Sequence, residues 1–232
     1  MWAILAGIEG NYPAYQAVLK DIKSQTKAVE ELYILGDIVG PRAETETLVQ
    51  SLLNPFDGEL FPQICRGWWE EQCLILHGLS GTTQATELLD RYGDDTVKNL
   101  WNFVSRETVE WIRKLDFGFV ELDCLLIHGS GVSVSEELTP NTPPWRVLDR
   151  LGRFGVNQLF CGRSGQIFEY QLQQGSIISS VTTLENQSSP ETITTSQKRI
   201  IGVGNVGKTP HQATYTLYNS HNNYLEFRVV YY

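Results

Sequence analysis

The chain is poor in the residues that usually advertise chemistry: its 232 residues include only four cysteines, four histidines and one methionine. Cys65, Cys73, Cys124 and Cys161 form no C-x-x-C pair, which removes the common zinc and dithiol spacings. Cys124 and Cys161 lie in apolar runs where a small thiol packs as a hydrophobe, so free thiols in a reducing cytoplasm are expected. No run of Lys or Arg occurs, and 18 basic against 27 acidic residues give a net charge of −9. Nucleic acid and anionic membranes are bound through clustered cations that displace counterions, so neither is expected as a partner. No apolar stretch approaches the ~18 residues of a spanning helix. The apolar opening Met1 to Ile8 lacks a basic n-region and is interrupted at Glu9, so no signal peptide is read. What the chain does have is 41% hydrophobic and 11% aromatic residues, six of them Trp, enough to bury a substantial core in one domain spanning 1–232.

The first half alternates short apolar runs with helical periodicity. Trp2–Ile8 reads as a buried strand and Pro13–Lys23 as a helix, with Ala14, Ala17, Val18 and Ile22 on one stripe. Glu31–Leu35 repeats the strand pattern before a helix over Glu44–Leu53, and Phe61–Cys65 is a third strand. Such units imply a parallel or mixed sheet whose ligands sit at the carboxyl ends of its strands. The segment 84–115 carries amphipathic helices expected to form a cover, with Trp101 and Trp111 in the core. Phe117–Leu122 and Asp123–Ile127 pattern as a hairpin. The Pro-rich stretch Thr139–Trp145 is expected to be irregular before a short helix at Arg146–Phe154. Gln158–Cys161 is a strand, and from Gln166 the pattern becomes all strand: Ile167–Leu172 and Ser176–Val181 flank a turn at Gln174-Gly175. A loop is expected over Thr182–Lys198, and strands at Arg199–Val203, Ala213–Tyr218 and Tyr224–Tyr231 follow.

Gly202–Thr209, GVGNVGKT, satisfies both G-x-G-x-x-G and the phosphate-loop pattern. Either motif needs a helix directly after the loop, because free N–H groups and the helix dipole hold the phosphate. Pro210 follows instead, and then a strand-like alternation. A nucleotide site at Gly202–Lys208 is kept as one alternative to a Gly-rich turn between strands.

A second set of residues is distributed along the strand ends: Gly7-Ile8-Glu9-Gly10-Asn11, Gly36-Asp37, Arg66-Gly67-Trp68-Trp69-Glu70, His128-Gly129, Gly162-Arg163-Ser164-Gly165 and Gly204-Asn205-Val206-Gly207. Their order and context resemble the calcineurin-like metallophosphoesterase superfamily, in particular its small bacterial phosphodiesterase branch. That family is marked by D-x-H-G-N, G-D, G-N-H-D, H-G, G-H-x-H and a late G-S-V-G turn. The resemblance implies an α/β fold, a β-sandwich of two mixed sheets flanked by helices. It also implies a two-metal hydrolase site in which paired cations clamp a phosphate and a bridging hydroxide attacks it.

The chain departs from the family pattern at the ligands. Gly7 and Glu9 stand where the Asp and His of D-x-H would be, and Trp68, Trp69 and Glu70 replace N-H-D. Arg163 and Gly165 replace the two histidines of G-H-x-H. Asp37 and His128 alone keep the expected identities. Tryptophan brings no lone pair, and Arg163 brings a permanent cation expected to pair with Asp37 or Glu9 in place of a metal. Arg66 is expected as a second partner for Glu70 or Asp37, and Asn11 keeps the turn after Glu9. The expected cleft remnant is therefore Glu9, Asn11, Asp37, Arg66, Trp68, Trp69, Glu70, His128 and Arg163. No catalytic residue and no cofactor is expected, and the role implied is binding or regulation, with an unidentified small molecule or protein as partner. The enzymatic alternative is a phosphoesterase acting on small phosphodiesters or phosphomonoesters. Its reduced metal site (Mn, Fe, Ni or Zn) would be held by Glu9, Asp37 and His128, with Arg163 binding the phosphate.

Overall fold

The computed structural model describes residues 1–81, 85–172, 179–183 and 198–232, the last but one segment by its backbone alone. The expected turn at Gln174-Gly175 and nearly all of the expected loop over 182–198 lie outside the described residues.

Strands β1 (Trp2–Leu5), β2 (Glu31–Leu35) and β3 (Gln63–Cys65) run parallel, joined by helices α1 (Tyr12–Lys23) and α2 (Thr45–Leu53). Asn11 starts α1 by accepting the Ala14 N–H through its side chain at 3.2 Å, and the stripe Ala14, Tyr15, Val18 and Ile22 is buried. Helix α3 (Trp68–Leu76) follows β3 directly. Then come α4 (Thr86–Phe103), broken at Gly93, and α5 (Arg106–Ile112). The hairpin β4 (Gly118–Glu121) and β5 (Cys124–Ile127) opens a second sheet, which continues through α6 (Pro144–Gly152), β6 (Gln158–Cys161), β7 (Ile167–Leu172), β8 (Ser179–Thr183) and β9 (Lys198–Val203). The chain returns to the first sheet with β10 (Gln212–Asn219) and β11 (Tyr224–Tyr231). Among the described residues the two sheets have the orders β11-β10-β1-β2-β3 and β4-β5-β6-β9-β7-β8. Both are mixed, as expected.

Period-two alternation sends β1 in two directions at once. Trp2, Ile4 and Ala6 enter a core between the sheets with Leu126, Phe160 and Ile201, while Ala3 and Leu5 pack beneath the helices with Val18, Leu48 and Trp68. A third core lies under α6, where Val147 and Leu151 meet Ile127 and Leu159. Strands covered on both faces read as unbroken apolar runs, which is why β1, β2, β5 and β6 are visible in the sequence.

Three expectations are corrected. Pro144 and Trp145 belong to α6, because proline's missing N–H and fixed φ suit a first helical turn. Trp101 is 52% exposed, with the His77 ring stacked on it at 4.4 Å. Gly202–Lys208 starts inside β9 and leads to β10 with no helix after it, so it is a turn between strands and lacks the phosphate-holding element.

Candidate functional site

The parallel strands of both sheets deliver their carboxyl ends to one place. Gly7 N–H donates to the Gly36 carbonyl, Glu9 N–H to that of Asp37, and Gly207 N–H to that of Gly7, at 3.2, 2.8 and 2.8 Å. The N–H groups of Gly162 and Arg163 both donate to the His128 carbonyl at 2.8 Å. The turns after β1, β2, β5, β6 and β9 are thus one hydrogen-bonded assembly, with α3 entering from β3.

Asp37 and Glu70 organise its centre. Asp37 adopts φ 54, and its Oδ1 accepts the Trp69 N–H at 2.8 Å. That amide is one of the unpaired donors of a helix start, so the carboxylate caps α3 from outside. Glu70, fully buried at the third position of α3, accepts four backbone N–H groups. Its Oε2 takes those of Asp37 and Gly67, each at 2.8 Å, and its Oε1 takes those of Ile38 and Val39 at 2.7 and 2.9 Å. One side chain therefore closes its own helix and fixes the turn after β2. Gly67 makes the approach possible: a Cβ there would lie 2.2 Å from Asp37 N and 2.7 Å from its Oδ1. Burial, then the Asp37 charge, pushes the Glu70 carboxyl up. Its filled lone pairs nonetheless leave no place for a carboxyl proton, and the ionised form is the one that fits.

His128, fully buried, sits across from Asp37. Its Nδ1 meets the Leu35 carbonyl at 2.6 Å, and because a carbonyl only accepts, Nδ1 carries a proton. Nε2 lies 3.3 Å from Asp37 Oδ2, an ionic contact rather than an aligned hydrogen bond. Burial alone would lower the His128 pKa, but Asp37 and the Leu35 carbonyl together hold it above the ordinary value. Burial likewise favours a neutral Asp37, yet His128, then Arg163 and the Trp69 N–H, hold its carboxyl below the ordinary range. Glu9 behaves oppositely: burial, then the Asp37 charge, raises it to about 7 against the pull of Lys208, the Trp69 indole N–H and Arg42.

Aromatic rings fill the space above. Trp68 is fully buried and Trp69 nearly so, edge to face at 5.0 Å, with Tyr92 of α4 5.0 Å from Trp69 and 5.7 Å from Trp68. Arg163, 5% exposed, places its guanidinium carbon 4.6 Å from the centre of the Trp68 ring. Its one ionic contact among the described residues is Glu137, 3.7 Å from Nη2.

Glu9, Asp37, Trp68, Trp69, Glu70, His128 and Arg163 are therefore gathered in one place, whereas two of the expected remnant residues are engaged elsewhere. Asn11 caps α1 and donates to the Gly207 carbonyl and the Tyr232 hydroxyl at 3.2 and 2.8 Å. Arg66 pairs with Glu71 at 3.0 Å and donates to the Arg113 and Leu115 carbonyls, so it partners neither Glu70 nor Asp37. The expected direct pairing of Arg163 with Asp37 or Glu9 is also corrected: His128 is the cation in contact with Asp37, and Arg163 acts on it from beyond ion-pair distance. Tyr92, Glu87, Arg91 and Glu137 surround the site from α4 and the loop after β5 without any motif to announce them. Among the described residues no three His, Cys, Asp or Glu side chains converge as a metal would require, Glu9, Asp37 and His128 included.

No family model and no curated protein matches the sequence. Solved structures do match. A hypothetical protein from Pyrococcus horikoshii is 21% identical, with a TM-score of 0.71 over 100% of this chain and 89% of that one. A metallophosphoesterase from Sphaerobacter thermophilus is 18% identical, with a TM-score of 0.71 over 100% of this chain and 88% of its own. At these identities the likeness is one of fold, which the chain shares with a metallophosphoesterase over its described length.

Proposed function

We propose that this chain keeps the metallophosphoesterase fold without a dinuclear metal centre, and that it acts by binding, in a regulatory role, rather than by hydrolysing phosphoesters. The state of Asp37 carries the reading. One of its oxygens is taken by the Trp69 N–H and the other faces His128, while both oxygens of Glu70 are consumed by backbone amides. A bridging carboxylate needs free lone pairs and neighbours that also carry them. Trp68 and Trp69 supply none, and Arg163 adds a fixed positive charge. The donor set does not fit a pair of divalent cations. The described residues hold no helix long and apolar enough to cross a membrane. The four cysteines are free and buried, which supports a reducing compartment such as the cytoplasm.

A phosphoesterase with a reduced metal site remains the second reading, favoured by the survival of Asp37 and His128 side by side. Turnover of a chromogenic phosphodiester with added Mn²⁺ separates the two. The binding reading expects wild type and Asp37→Asn to be equally inactive. Mn²⁺-dependent turnover that Asp37→Asn abolishes would establish the enzyme instead.

A further inference from the structure

We propose that β11 is the seam of a homodimer, in which the free edges of two copies pair antiparallel about a two-fold axis at Phe227 and join two five-stranded sheets into one. None of the cleft residues lies on this strand, so the pairing is independent of what the cleft binds. β11 ends its sheet, and among the described residues it pairs with β10 alone. At the opposite end β3 is three residues long and is met by Asp116, whose carbonyl accepts the Arg66 N–H at 2.8 Å. β11 has eight residues, no proline or lysine, and no bulge against β10, so it lacks the usual devices that blunt an edge.

Bonding to β10 fixes which backbone groups are free. Tyr232 N–H donates to the His211 carbonyl at 3.2 Å, and on β10 the Thr214 N–H turns away from β11 to the Asn205 carbonyl at 2.7 Å. Bonded positions alternate in an antiparallel ladder, so Tyr224, Glu226, Arg228 and Val230 bond to β10 through their backbone. Leu225, Phe227, Val229 and Tyr231 therefore direct their N–H and C=O groups outward. A second β11 must bond through these outward positions. Centring the pairing on Glu226 or Arg228 would set like charges directly against each other. Centring it on Phe227 sets Glu226 of each copy against Arg228 of the other, in a non-hydrogen-bonded pair where side chains lie closest. Glu226 and Arg228 are 33% and 31% exposed and already touch at 3.1 Å within one strand, so pairing completes an alternating square of four charges. Asp21 of α1 holds Arg228 in place at 2.9 Å. On the other face, the half-buried Leu225 and Phe227 extend the core between the sheets to the edge, where a second copy would cover them. Such a contact uses the same patch twice and closes as a dimer.

Analytical ultracentrifugation of the full chain tests this, with circular dichroism to establish that each variant is folded. Wild type is expected to dimerise with a Kd on the order of micromolar, since a strand-to-strand contact is small. Glu226→Arg opposes two arginines at both charge pairs and should weaken the dimer about tenfold or more. Val229→Pro removes an outward N–H without touching a bond to β10, and should abolish the dimer. Glu226→Arg reports on its own if Val229→Pro fails to fold. A dimer that either folded variant leaves intact overturns the proposal. So does a wild type that stays monomeric at about 100 µM, the result expected if the edge is kept for a strand of a different chain.

Discussion

Glu70→Gln is the sharpest test of how the site is held together. A carboxylate accepts at both oxygens, and here all four accepted groups are backbone amides of the β2 turn and the start of α3. A carboxamide keeps one accepting oxygen and turns an NH₂ toward the other two amides. Each buried N–H left unsatisfied costs about 1–3 kcal/mol, so two of them cost about 2–6 kcal/mol. That is a large part of the ~5–15 kcal/mol by which domains are stable. Urea unfolding at neutral pH should therefore show a midpoint far below wild type with an unchanged slope. Glu70→Asp keeps the charge but is one methylene shorter, and should fall between the two. A loss under about 1 kcal/mol in Glu70→Gln would instead mean that Glu70 is protonated and already donates where the amide would.

Other consequences follow from the same geometry. Because Glu9 is raised from 4.5 to about 7, the folded state holds its proton longer than the unfolded chain, and stability falls as pH rises through that interval. Glu9→Gln should stabilise the protein at pH 8 by at most about 3 kcal/mol and hardly at all at pH 4, measured by urea unfolding at both. Asp37 lies below its ordinary 3.8 and His128 above its ordinary 6.5, so their mutual stabilisation is complete between those values. It is lost as pH falls through the folded Asp37 value or rises through the folded His128 value. A pH series of melting temperatures should lose its alkaline decline in Asp37→Asn. Arg199 is 2% exposed and bonded to Gln158, Glu169 and the Asn223 carbonyl. Arg199→Met should cost about 3–5 kcal/mol in chemical denaturation by leaving Glu169 unpaired; a near-neutral result would contradict that account. Gly7 has φ 61, and a Cβ there would lie 3.2 Å from Asn205 Cβ. Restoring the family residue by Gly7→Asp should thus cost roughly 1–2 kcal/mol before any metal could repay it, checked by thermal unfolding.

The sequence revealed strands far better than partners. β1, β2, β5 and β6 stand out because both of their faces are covered, and the glycine-bearing turns after them mark where the chain must double back. Helix α3 was hidden, since WWEEQC is buried on most sides and shows no amphipathic stripe. Its opening residues read instead as lost metal ligands. The local work of Glu70 left no trace in the pattern, because its bonds run to backbone atoms that carry no sequence identity. Arg163 meets Glu137 and not Asp37 or Glu9, because Glu137 reaches it from a loop 26 residues away with no spacing rule to connect them. Trp101 lay on an apolar stripe yet faces outward against His77, a contact that periodicity cannot distinguish from core.

Anomalous scattering from crystals grown in Mn²⁺ shows whether Asp37 holds a metal. No anomalous peak is expected beside Asp37, with the Trp68 and Trp69 rings and the Arg163 guanidinium filling the space above it. Two strong peaks about 3.5–4 Å apart, bridged by Asp37, would contradict that expectation.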